Sequence, residues 1–73
     1  MQELKAEMVA NVWKHVASVG DAIEVGGTVM ILESMKMEIP VVAEEAGIVA
    51  SIDVAEGTVV QEGDVVATIN EAS

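Results

Sequence analysis

Sliding the chain along itself by 37 positions superimposes residues 10–36 on residues 47–73 without a gap, and this internal repeat constrains the fold more than any other feature. It pairs Val12 with Val49, Gly20 with Gly57, Gly26 with Gly63 and Val29 with Val66, and aligns Ala17 with Val54, Ile23 with Val60 and Leu32 with Ile69. The two glycine pairs fall at the same spacing inside short turn-like stretches, where a backbone free to adopt positive φ is needed between strands. Two copies of a strand-turn-strand unit, related by a pseudo-twofold axis, are the simplest reading.

Within each copy the hydrophobic pattern has period two. In the run 48–54, Ile48, Ala50, Ile52 and Val54 form an apolar set, with Ser51 and Asp53 on the opposite face, as a half-buried strand requires. Val29 to Leu32, Ile39 to Ala43, Val59-Val60 and Val65 to Ile69 are further strand candidates, bounded by Gly, Asp, Glu or Pro. Glu3 to Ala10 has helix-forming composition but is read as a first strand. Eight short strands in two copies predict an all-β fold, a flattened antiparallel barrel or a sandwich of two small sheets with pseudo-twofold symmetry.

A chain of 73 residues makes one domain over 1–73, and a domain of this size buries only about 60% of the surface of its unfolded chain. That leaves little room for a catalytic cleft. There is no cysteine to supply a disulfide or a thiolate metal site, and the one histidine, His15, has no partners at ligand spacing, so no metal centre is expected. His15 aligns with Ile52 and reads as a half-buried neutral side chain; Trp13, the only aromatic residue, reads as a large cover over the sheet. Thirteen acids against three lysines give a net charge of −10, the wrong sign for a nucleic-acid phosphate backbone. No apolar run approaches the roughly 20 residues that span a bilayer as a helix, and Met1 to Val9 carries three charged residues where a signal peptide would need a long apolar segment. A cytoplasmic monomer is the expectation.

One of the three lysines stands out. In Leu32-Glu33-Ser34-Met35-Lys36-Met37-Glu38-Ile39, Lys36 falls where flanking strands would turn back on each other. With Met35 and Lys36 as the central pair of a two-residue turn, Ser34 faces Met37 and Glu33 faces Glu38. Such turns favour Asn-Gly or Asp-Gly because both central residues take positive φ, so Met-Lys is a costly choice that points to a functional constraint. A lysine acting as base or nucleophile has to lose its proton, helped by desolvation or a nearby cation. Here the sequence neighbours are carboxylates. Lys36 is therefore expected to be a substrate for another enzyme, which would supply both an activated acyl group and a base.

The stretch Glu33-Ser34-Met35-Lys36-Met37-Glu38 resembles the attachment motif of biotinyl/lipoyl domains, with Ser34 in place of the usual Ala. The resemblance spans nearly the whole chain, through Ala10-Asn11-Val12-Trp13-Lys14, Val19-Gly20-Asp21, Val25-Gly26, Ala46-Gly47-Ile48-Val49 and Gln61-Glu62-Gly63-Asp64. It is similar to the free-standing attachment proteins of the biotin carboxyl carrier type, and no insertion corresponds to a protruding thumb loop. The resemblance implies a barrel-sandwich fold, a flattened antiparallel barrel of two four-stranded sheets, and covalent biotin on Lys36, joined by a biotin protein ligase. It implies carboxyl transfer between a biotin carboxylase and a carboxyltransferase, the chain itself being no enzyme. Met35 and Met37 would be ligase recognition contacts, while Glu33, Ser34 and Glu38 would help position the hairpin. A lipoyl carrier, or an acceptor of both biotin and lipoate with a lipoate ligase as partner, is the nearest alternative. Lipoyl domains usually place Asp before the lysine and Ala after it, whereas Met stands on both sides here. The second alternative is an unmodified acidic interaction module.

Overall fold

The structure, a computed structural model, describes residues 1–71. Its strands are β1 (Gln2–Lys5), β2 (Ala10–His15), β3 (Ala22–Ile23), β4 (Thr28–Ser34), β5 (Met37–Val42), β6 (Gly47–Ile52), β7 (Val59–Val60) and β8 (Val65–Glu71). They form two four-stranded sheets, in the orders β1-β8-β6-β3 and β5-β4-β2-β7, with every pairing antiparallel. The all-β sandwich read from the repeat is the observed architecture, with no helix among the described residues.

The pseudo-twofold is visible strand by strand. Adding 37 to the bounds of β2, β3 and β4 reproduces those of β6, β7 and β8, and the same shift carries β1 into β5, so the repeat extends over the first strand as well. Backbone bonds obey it too. Gly20 N–H donates to the Val49 carbonyl at 2.8 Å and its counterpart Gly57 donates to Val12 at 2.7 Å; Gly26 donates to Ala43 and Gly63 to Ala6, both at 2.8 Å. Each of these bonds crosses from one repeat to the other, so neither copy closes its backbone alone.

The core lies between the sheets. Val12 and Val49, Leu32 and Ile69, and Val29 and Val66 are buried as symmetry-related pairs, as are Leu4 and Val41. Met30 and its counterpart Ala67 are both fully buried, so one long and one short side chain share the centre. Burial of a side chain such as Leu32 or Ile69 contributes about 1.5–3 kcal/mol each.

The structure corrects two readings. In β6 the inward residues are Gly47 and Val49, while Ile48, expected inside, is 45% exposed. The register shifts between Val49 and Ser51, so a bulge at Ala50 reverses the alternation, and only beyond it do Ile52 and Val54 pack against the core. A period-two reading has no way to register that extra residue. The segment Glu3 to Ala10 is not one strand: β1 stops at Lys5, residues 7–9 bend, and Ala10 opens β2. Backbone bonds from Ala6 to Asp64 and from Gly63 to Ala6 hold the chain at that break.

The other singled-out residues are placed as follows. His15 is half-buried, and its Nε2 donates to the Val54 carbonyl at 2.8 Å. Trp13 sits at the β2 bulge that matches Ala50, on the outer face of its sheet and 48% exposed. Ser73, the residue the repeat aligns with Lys36, lies outside the described residues.

Candidate functional site: the lysine hairpin

β4 and β5 pair from Thr28↔Val42 to Ser34↔Met37, leaving Met35 and Lys36 as the two residues of the turn. Their φ angles are 52° and 65°, and they are the only non-glycine residues with positive φ among those described. Primed turns match the right-handed twist of the paired strands, and they require this geometry at both central positions. For a residue with a Cβ it costs roughly 1–2 kcal/mol. The hairpin thus holds two side chains where glycine would be cheaper.

Below the tip the register is the one expected from sequence: Ser34 faces Met37 and Glu33 faces Glu38. Met35 is 93% exposed and Met37 61%, while Lys36, Glu33 and Glu38 are exposed and Ser34 is half-buried. All six predicted site residues therefore come together at one end of the β4–β5 hairpin. Among the described residues the only ion pair is remote from it, between the Met1 amino group and Glu71 at 3.4 Å. No group of three His, Cys, Asp or Glu side chains among those residues is placed to hold a metal ion.

The platform under the hairpin is firm. β4 is an interior strand, paired with β5 on one side and β2 on the other, and Glu33 has a second cross-strand neighbour in Asn11. β5 is the edge. Pro40 stands within it, exposed and without a donor N–H, as edge strands tolerate. The chain start lies at the other end: Gln2 accepts from the Glu44 N–H at 2.7 Å and donates to the Glu45 carbonyl at 3.5 Å. At about 3.3 Å per residue, the five steps of β5 from Met37 to Val42 alone put roughly 16 Å between the tip and that end.

The outer face that carries Glu33 and Glu38 also holds Ile31, Pro40 and Trp13. Sequence reading did not group these three residues, because the strand register that assembles them depends on the β2 bulge.

Two four-stranded sheets with a lysine exposed at a positive-φ hairpin tip form a domain of the barrel-sandwich class. The family described as "Biotin-requiring enzyme" matches residues 3–69, and the chain belongs to it. The chain is 49% identical over 69 residues to the "Biotinylated protein TB7.3 homolog" of Mycobacterium leprae, covering 94% of this chain and 97% of that protein. It is 48% identical over 67 residues to the "Biotin/lipoyl attachment protein" of Bacillus subtilis, covering 92% of each. Among solved structures, the urea carboxylase of Kluyveromyces lactis contains a similar fold, with a TM-score of 0.91 and 42% identity over 94% of this chain. The match takes up only 6% of that enzyme's chain.

Proposed function

We propose that the chain is a biotin carrier, acylated at Nζ of Lys36 by a biotin protein ligase. The observation that carries this reading is the exposed lysine in a positive-φ turn, held at the tip of the paired β4–β5 hairpin. The side chain fits the group: an unbranched stem ends in a primary amine that no carboxylate among the described residues holds in an ion pair. In the attachment step a bond forms between Nζ and the carbonyl carbon of an activated biotin valeryl group. The bond from that carbon to its activating group breaks, and the amine's proton passes to a base on the ligase. The hairpin sets where Nζ stands, Met35 and Met37 offer apolar contacts on either side, and Glu33 and Glu38 place negative charge at the root. Once bound, biotin would carry a carboxyl group between a biotin carboxylase and a carboxyltransferase.

The test is intact mass and peptide mapping after incubation with a biotin protein ligase, biotin and ATP, and in parallel with a lipoate ligase, lipoate and ATP. A single biotin adduct on Lys36, absent from Lys36→Arg, is the expected result. A lipoate adduct alone would make the chain a lipoyl carrier, and an adduct that persists in Lys36→Arg would refute the site.

A further inference from the structure

The pseudo-twofold supplies an internal control, because each residue on the outer face of the hairpin sheet has a counterpart 37 positions away in the same backbone setting. Ile31 and Pro40 are cross-strand partners, and so are their counterparts Thr68 and Glu3. Trp13 sits at the β2 bulge and its counterpart Ala50 at the β6 bulge. Val42 is paired with Thr28, as its counterpart Lys5 is with Val65; Val59 is paired with Asn11, as its counterpart Ala22 is with Ile48. At five matched places the hairpin sheet therefore carries Trp, Ile, Pro, Val and Val where the other sheet carries Ala, Thr, Glu, Lys and Ala. The contrast is not uniform over the face: Asn11, Lys14 and Thr28 of the hairpin sheet stand against Ile48, Ser51 and Val65.

The fold does not need this apolar surface, since the second sheet builds the same geometry without it. The face is nonetheless exposed, Trp13 at 48% and Val59 at 59%. It is continuous with the hairpin: Glu33 and Glu38 form the cross-strand pair two residues beyond Ile31 and Pro40, toward the tip. Enzymes that use a bound biotin reach it through the whole length of the arm and can stay clear of the sheet. The enzyme that first acylates Lys36 has only the lysine's own stem to work with, and it must bring Nζ to about 3–3.5 Å from the acyl carbon. Its surface has to close over the flanks of the hairpin.

Resting on the reading of Lys36 as the biotin acceptor, the geometry points to the outer face of β5-β4-β2-β7, centred on Trp13, Ile31 and Pro40, as the docking surface for the ligase. The matching ligase surface is apolar over Trp13, Ile31 and Pro40, offers an acidic group to Lys14, the cross-strand partner of Ile31, and is bordered by basic residues that meet Glu33 and Glu38. An aromatic anchor within an apolar patch and a charged rim is the usual composition of such a contact.

The symmetry also provides the test, in substitutions that the same backbone already accommodates on the other sheet: Trp13→Ala, Ile31→Thr and Pro40→Glu. Steady-state biotinylation by a biotin protein ligase should show KM for the triple variant raised at least tenfold with kcat within about twofold, and Pro40→Glu alone raised several-fold. The control Glu3→Ala with Thr68→Ala, on the opposite face, should leave KM unchanged. An unchanged KM in the folded triple variant overturns the inference, as does an equal rise in the opposite-face control. If the triple variant does not fold, Pro40→Glu decides alone, since Pro40 is exposed on an edge strand. Failure of the unsubstituted protein to be biotinylated would instead remove the underlying reading, and the inference with it.

Discussion

Met35 and Lys36 occupy consecutive positive-φ positions, so the lysine offered to solvent sits in a backbone that glycine would adopt at lower cost. Replacing the pair by Asn-Gly should relieve that cost. The double substitution Met35→Asn with Lys36→Gly is expected to raise stability by about 1 kcal/mol in urea unfolding while abolishing acylation. A variant no more stable than the parent would show that the turn holds no strain.

Lys36→Arg keeps the charge and the exposed position. Its melting temperature should match that of the parent within about 1 °C, because no packing is lost at an exposed tip. Thermal unfolding followed by circular dichroism is the measurement, and a loss of several degrees would mean that the lysine has a structural role.

Gly26 and Gly63 hold φ of 80° and 89°, and a Cβ at either would meet nothing within 4 Å. The cost of Gly26→Val or Gly63→Val is therefore conformational. Each should destabilise by roughly 1–2 kcal/mol or somewhat more, since a β-branched residue is disfavoured there, and the two values should agree because the sites are symmetry-related. Chemical denaturation of both variants checks this, and a clear inequality between them would break the proposed equivalence.

Gly47 fails for a different reason. A Cβ there would overlap the carbonyl oxygen of Asn70, so Gly47→Ala should force β6 and β8 apart. A loss of at least about 2 kcal/mol is expected, and amide exchange should accelerate along β8 before it does along β4. Neutral behaviour would mean that the two strands have slack at this point.

Much of this protein was legible in its residues. The 37-residue offset located β2, β3 and β4 against β6, β7 and β8, because residues in equivalent settings meet equivalent demands for burial and for positive φ. Met-Lys in a two-residue turn marked the site, since local propensity disfavours it and a local conflict of that kind shows without any tertiary knowledge. The faces of β6 and the end of β1 were not legible. A bulge at Ala50 leaves no mark in a run of apolar residues, and the bend at residues 7–9 is held by Asp64 and Gly63, far along the chain.

By itself the amino-acid sequence determined the two-copy all-β plan and the lysine at the turn, since both follow from spacing and from the backbone preferences of single residues. Only the tertiary structure decided which side of each strand faces the core, where β1 ends, and that Trp13, Ile31 and Pro40 share one exposed face. Those outcomes depend on register between strands distant in sequence, and one inserted residue is enough to reverse them.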